Sequence, residues 1–172
     1  MNTSVFLSEI LKYCISGAIL FFLAYFFLQS QGHLRPPVRI NTVLNTQLLP
    51  LQLQAYERMA LFIERITPGN LLLRLHQPGL SSRELQALAL AEIRSEFQHN
   101  VTQQLYITSA AWRAVKSIRE ETLFLVSSAV TSLPGEASGA DLSKAILTHL
   151  ATLEENPYEK VLALLKQEME SL

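Results

Sequence analysis

The sequence predicts an all-α protein, with a single N-terminal transmembrane helix followed by a soluble helical hairpin or bundle that contains one long helix. Three observations carry this expectation. Tyr13 to Leu28 contains no charged residue and is rich in Phe, Leu and Ile. Downstream, apolar residues recur at intervals of three and four, the period of an amphipathic helix. Capping patterns, a Ser or Asn followed three residues later by Glu, stand where two of those stripes begin. The layout is an anchor over 1–31, a linker over 32–47 and a helical soluble domain over 48–172.

The anchor is the most apolar part of the chain. Seven of the fourteen aromatic residues lie before residue 29. Val5 to Leu28 is 24 residues, about 36 Å as a helix against a hydrocarbon core of about 30 Å. Glu9 and Lys12 fall near its start, one turn apart, where they can pair or where Lys12 can snorkel to the headgroups. The segment before Lys12 has no Lys or Arg, and no small-x-small site follows Leu28. Both features favour a retained anchor over a cleaved signal peptide. Arg35 and Arg39 follow the span, so the positive-inside rule leans towards a cytoplasmic soluble part. Cys14 lies in the span and reports nothing on redox compartment.

The stretch from Gly32 to Val38, with Pro36-Pro37, reads as a stiff extended linker. The first soluble helix is expected from about Leu48 to Ile66, with Pro50 in its first turn and Thr67-Pro68-Gly69-Asn70 as its stop. Asn70 to Gly79 is a short apolar connection, helical turn or strand. Ser81-Ser82-Arg83-Glu84 is a capping box that opens the longest element, roughly Ser82 to Ser132. Its stripe runs through Ile93, Phe97 and Val101 to Val115, Ile118 and Leu125. Gln104, Thr108 and Ala111 weaken the middle, so a break near Val101 to Ser109 is foreseen, and with it a helical hairpin or an oligomer. Ser138 or Asp141 caps the next helix, ending near Glu155; Asn156-Pro157-Tyr158-Glu159 starts the last, whose apolar face is Val161, Leu164, Leu165 and Met169. No convincing internal repeat is found.

Composition excludes several classes. With 49% hydrophobic and 17% charged residues, the chain is not wholly disordered. A net charge of −1 gives no footprint for nucleic acid. One Cys rules out a disulfide framework. There is no Walker loop, no Gly-x-Gly-x-x-Gly and no Gly-x-Ser-x-Gly.

The sharpest chemical pattern is Glu96-Phe97-Gln98-His99. Glu-x-x-His on a helix puts both side chains on one face, as in helical di-iron sites. Such a site needs two of these motifs and two more carboxylates. Glu57, Glu64 or Glu92 could contribute, and a dimer could supply the second copy; a hydrogen-bonded polar face is the commoner use of such residues. Glu96 and His99 are therefore the metal candidates, and no resident metal or cofactor is assigned. Asn100, Gln103 and Gln104 interrupt the stripe, with Trp112 two turns on; the four are candidate contacts to a partner helix, where polar residues set register, and the equal alternative is an exposed face at the kink. His33, His76 and His149 are isolated.

Gln47 to Arg58 (QLLPLQLQAYER) and Glu96 to Tyr106 (EFQHNVTQQLY), with Trp112 following, resemble an uncharacterised family of small bacterial proteins with one N-terminal span and a helical soluble part. The resemblance implies this same layout and a bacterial inner membrane; it brings no activity and no site residues.

The expected function is thus non-enzymatic: a membrane-anchored scaffold, or a small subunit of a membrane protein complex, acting through helix–helix contacts. Its partners would be the lipid bilayer and another protein or a second copy, with no nucleic acid and no small-molecule substrate identified. The alternative is a metal-binding, ferritin-like helical protein using Glu96 and His99. A third reading lays Pro157 to Leu172 on lipid, but Lys160 and Lys166 are outnumbered there by Glu159, Glu168 and Glu170.

Overall fold

A computed structural model describes residues 17–27 and 40–172. The chain divides into two units, Met1–Val43 and Leu44–Leu172. In the first, residues 17–27 are helical (α1), and Phe21, Phe22 and Phe26 are exposed. Among the described residues no helix is long and apolar enough to cross a membrane. The expected span over Val5 to Leu28 lies outside the described residues except for α1, as do Pro36-Pro37 and His33.

The described chain is all-α. After α1 come α2 (Ile40–Ile66), α3 (Pro68–Leu75), α4 (Ser82–Asn100), a 3-10 turn (Val101–Leu105), α5 (Ser109–Thr131), α6 (Gly139–Ala151) and α7 (Pro157–Glu170). The core gathers Met59, Phe62, Ile63 and Ile66 of α2 with Leu85 and Ile93 of α4, Val115 and Ile118 of α5, and Ile146 of α6.

Three expectations about α2 and its ends are corrected. The linker over 32–47 is too long, because α2 starts at Ile40. Pro50 therefore lies inside the helix rather than in its first turn; it has no N–H, so the carbonyl four residues back loses its donor while the ladder continues on either side. Thr67-Pro68-Gly69-Asn70 ends α2 but does not open a loop. Pro68 takes the first position of α3, where a missing N–H costs nothing.

The single long helix over Ser82 to Ser132 is two helices. The Asn100 side-chain amide donates to the Glu96 carbonyl at 2.8 Å, competing with the helical ladder at the end of α4. The chain tightens into the 3-10 turn, and Thr108 then caps α5, its hydroxyl accepting from the Ala111 N–H at 3.1 Å. Phe97 meets Trp112 near this turn, while Gln86 reaches Ser127 at the far end. α4 and α5 are thus an antiparallel hairpin, and the polar middle of the stripe is its bend.

The capping signals hold. Ser81 with Glu84, and Ser138 with Asp141, form complete capping boxes. Asn156 caps α7 by accepting from the Tyr158 N–H at 3.0 Å, and Glu159 accepts from the Asn156 side-chain amide rather than its backbone. α6 ends at Ala151, short of Glu155.

The two capping boxes lie side by side. The Ser82 N–H donates to the Ala137 carbonyl at 2.9 Å, and the Gly139 N–H donates to the Leu80 carbonyl at 2.7 Å. The exchange is reciprocal between matching positions: each donor directly follows a cap serine, and each acceptor directly precedes one. Gly139 is pressed against its neighbour; a Cβ there would lie 3.2 Å from the Leu80 carbonyl oxygen and 3.3 Å from the Leu85 side chain.

These loops are the centre of a repeat that the sequence does not announce. Pro78-Gly79 precedes one capping box and Pro134-Gly135 the other. Ahead of them, buried Ala55, Met59, Phe62 and Ile66 match buried Ala111, Val115, Ile118 and Thr122, each pair 56 residues apart. Behind them, Leu85, Ala89 and Ile93 match Leu142, Ile146 and Leu150, 57 apart. The domain is two helix–loop–helix units, α2/α3 with α4 and α5 with α6, joined at their loops. α7 folds back on α5.

Candidate functional site

The sequence candidates surround the hairpin bend. Arg58, Phe62 and Arg65 of α2 and Glu96, His99 and Asn100 of α4 line a cleft of about 380 Å³. Glu96, half-buried, pairs with the Arg65 Nε at 2.7 Å. His99 Nδ1 carries its proton and donates to the Ser95 carbonyl at 2.8 Å, because a carbonyl can only accept. Of the other candidate carboxylates, Glu92 pairs with Arg74 at 2.9 Å, Glu64 accepts from the Asn70 amide at 3.1 Å, and Glu57 is exposed and does not line the cleft. Among the described residues no three His, Cys, Asp or Glu side chains gather where a metal ion could be held. Two guanidiniums and one carboxylate make the cleft cationic, the wrong sign for a di-iron centre.

The four partner-contact candidates separate. Asn100 is buried and bonds its own helix. Trp112 is half-buried and stacks on Phe97, with ring centroids 5.3 Å apart. The Arg119 guanidinium sits 4.0 Å from the centre of the same Phe97 ring. Trp112 and Arg119 are two turns apart on α5, about 10.5 Å, so Phe97 of α4 inserts between them. Arg119 also pairs with Glu120, and its Nε is buried without a hydrogen-bond partner among the described residues. Gln103 and Gln104 remain at the bend, beside exposed Leu105.

A part-buried polar clamp lies nearby. The Tyr56 hydroxyl donates to Glu168 Oε2 at 3.0 Å and accepts from the Thr108 N–H at 3.3 Å, and the Thr108 hydroxyl also donates to Glu168. The clamp ties α2, the cap of α5 and α7 together. Burial raises the Tyr56 hydroxyl above the usual tyrosine range, so it stays protonated and donating.

The site that sequence reasoning missed is an apolar groove of about 410 Å³ between α5, α6 and α7. Ile118, Leu125, Leu150, Leu153 and Pro157 line it, with Tyr158 at its floor. The Tyr158 hydroxyl donates to the Thr122 hydroxyl at 2.8 Å, which donates in turn to the Ile118 carbonyl at 2.6 Å. Burial is the main force raising the Tyr158 hydroxyl to about 12, with the Glu121 charge adding to it. Ser128 and Ser132 turn their hydroxyls back to carbonyls of their own helix. The walls therefore present mostly carbon. Phe124 stands at the edge, 74% exposed, with Glu121 and His149 as the charged and titratable groups. Its volume falls within the range of small-molecule clefts, and its lining is predominantly apolar. The sequence signal was available: Phe124 is a large aromatic off the buried stripe of α5.

Fold and site together define a small helical bundle of two helix–loop–helix units with an open apolar groove on the second. The chain belongs to a family of unknown function (DUF7935), whose family model matches residues 5–172. No curated protein and no solved structure matches the chain.

Proposed function

We propose that the protein is a non-enzymatic, membrane-anchored scaffold or small subunit of a membrane protein complex, acting through helix–helix contacts. The observation that carries this reading is the α5–α6–α7 groove, apolar along its walls and bordered by an exposed Phe. Grooves of this kind accept the apolar face of an amphipathic helix. Aromatic anchors seated in such pockets carry much of an interface's energy. The acid and base groups of the Glu96 cleft are held in an ion pair and a helix-end hydrogen bond. The charge-free run from Tyr13 to Leu28 supplies the tether, a single transmembrane helix. We place it in a bacterial inner membrane with the helical domain on the cytoplasmic side, from the resemblance noted above and from Arg35 and Arg39. Gln103, Gln104 and Leu105 offer a second contact at the hairpin bend.

Two measurements test the reading. Carbonate-washed membranes from the native host should retain the full chain, and protease added to right-side-out vesicles should spare the domain. Chemical crosslinking in those membranes should give discrete adducts above the monomer. Release by carbonate defeats the tether; a monomer without adducts at every crosslinker length defeats the scaffold.

A further inference from the structure

The two helix–loop–helix units differ in one respect that bears on function: ion pairs bridge the helices of the first, beside its cationic cleft, and not those that border the apolar groove of the second. In the first, α2 ends before Thr67, and α3 packs on α4. Two ion pairs then cross between the helices, Arg65–Glu96 and Arg74–Glu92. In the second, α5 runs unbroken from Ser109 to Thr131. The positions matching Arg65 and Glu96 are Glu121 and Leu153, and the position matching Glu92 is His149. The charges that close the first unit are therefore absent or reversed in the second. Glu121 accepts a hydrogen bond from Ser117 at 2.8 Å but has no cation across the groove among the described residues.

We infer that the α5–α6–α7 groove takes a cationic amphipathic helix from a partner protein, with apolar side chains seated on Leu125, Leu150 and Tyr158 and a Lys or Arg brought to Glu121. The inference rests on the scaffold reading and gives its partner a chemistry. Length fits: the groove follows α5 from Ile118 to Ser132, about 21 Å or four turns, which a helix of about fourteen residues spans with anchors at i, i+3, i+4 and i+7. Charge fits: Leu153 is followed directly by Glu154 and Glu155, so the Glu121 end of the groove is acidic, and among the described residues only Glu155 of these has a lysine partner, Lys160 at 3.5 Å. An acyl chain would fill the same volume, but its usual anionic headgroup would meet Glu121.

The test uses the full chain and two synthetic fourteen-residue helices, one of Leu and Lys and one of Leu and Glu in the same pattern, each carrying a central benzophenone. Photocrosslinked residues are mapped by mass spectrometry. The Leu/Lys helix should label around Phe124 and Leu153, at least tenfold more than the Leu/Glu helix. Glu121→Lys, an exposed change, should cut that labelling tenfold or more and raise that of Leu/Glu. Leu153→Glu should abolish labelling in the groove while the far-ultraviolet circular dichroism stays native. Labelling that ignores peptide charge and Glu121→Lys, or that competes away with a neutral alkyl glycoside equally in both proteins, would make the groove a lipid or general apolar site and overturn the inference. Labelling elsewhere on the domain would also overturn it. Membrane adducts that survive Leu153→Glu would leave the scaffold reading standing without this groove.

Discussion

The Tyr158–Thr122 pair gives the sharpest energetic prediction. Both residues are buried, at 2% and 0% exposure. The proton order is fixed: Thr122 donates to the Ile118 carbonyl, so Tyr158 must donate to Thr122. Thr122→Val keeps the shape, removes the acceptor and leaves the tyrosine hydroxyl buried without a partner. That should cost about 1–3 kcal/mol. Tyr158→Phe removes the donor and leaves Thr122 still bonded to Ile118. Its cost should be about 0.5–1.5 kcal/mol. Once Thr122→Val is present, Tyr158→Phe should be neutral or stabilising, because it deletes the orphaned hydroxyl. Urea unfolding of the four proteins, followed by circular dichroism, closes the cycle. Costs that simply add, to within about 0.5 kcal/mol, would refute the pairing. The alkaline limb provides a second check. The folded value, about 12, lies above the ordinary tyrosine value, so the contribution is complete below about pH 10 and is lost as pH rises through the folded value. Two units correspond to about 2.7 kcal/mol, and Tyr158→Phe should remove that slope.

Further predictions concern the paired loops and the cleft. Ser81→Ala and Ser138→Ala should each lower stability by about 1 kcal/mol, since each deletes an N-cap; a urea midpoint unmoved in both would refute the capping geometry. Hydrogen bonds from Ser81, backbone first and then hydroxyl, hold Glu84 below the usual carboxylate range, and those from Ser138, hydroxyl first, hold Asp141 below it. Their contribution is thus present at neutral pH and lost as pH falls through their depressed values, so Glu84→Gln with Asp141→Asn should flatten the stability curve between about pH 5 and 2. Gly139→Val should cost about 1–3 kcal/mol through overpacking against Leu80 and Leu85, read from the same midpoint. Arg65→Ala should cost under about 1 kcal/mol, because Arg65 is half exposed and its pair with Glu96 is screened by water.

The starts of α4 and α7, and that of α6 to within the choice of Ser138 or Asp141, were legible because capping is local chemistry: Ser81, Ser138 and Asn156 each stand within three residues of the groups they satisfy. The hairpin was half legible, since Gln104 and Thr108 weakened the stripe without saying which way the chain turns. What decided it was Asn100 bonding its own helix, a choice between two hydrogen bonds that periodicity does not register. Pro50 misled for the opposite reason. Proline suits a first turn, yet α2 continues upstream through Ile40 and accepts the lost bond. The Glu96–His99 spacing put both side chains on one cleft, as expected, but the neighbour that sets its charge, Arg65, comes from thirty-one residues earlier in the chain.

The repeat was hidden because it conserves positions rather than residue types. Met59 and Val115, or Ile66 and Thr122, fill equivalent buried places with different volumes and polarities. Thr122 is the instructive case. A hydroxyl in the place of Ile66 needs a partner, and Tyr158 of α7 supplies it. α7 has no counterpart in the first unit; there Ile66 leads straight into the Thr67 break and α3. Each unit has thus covered the same stretch of its long helix differently. The first folds its own chain back and locks it with Arg65–Glu96 and Arg74–Glu92. The second borrows the C-terminal helix, which reaches Thr122 through Tyr158 but leaves Leu125, Ala129 and Leu150 lining an open groove. The asymmetry puts Glu121, which has no ion-pair partner among the described residues, at the rim of the unit that carries the apolar groove.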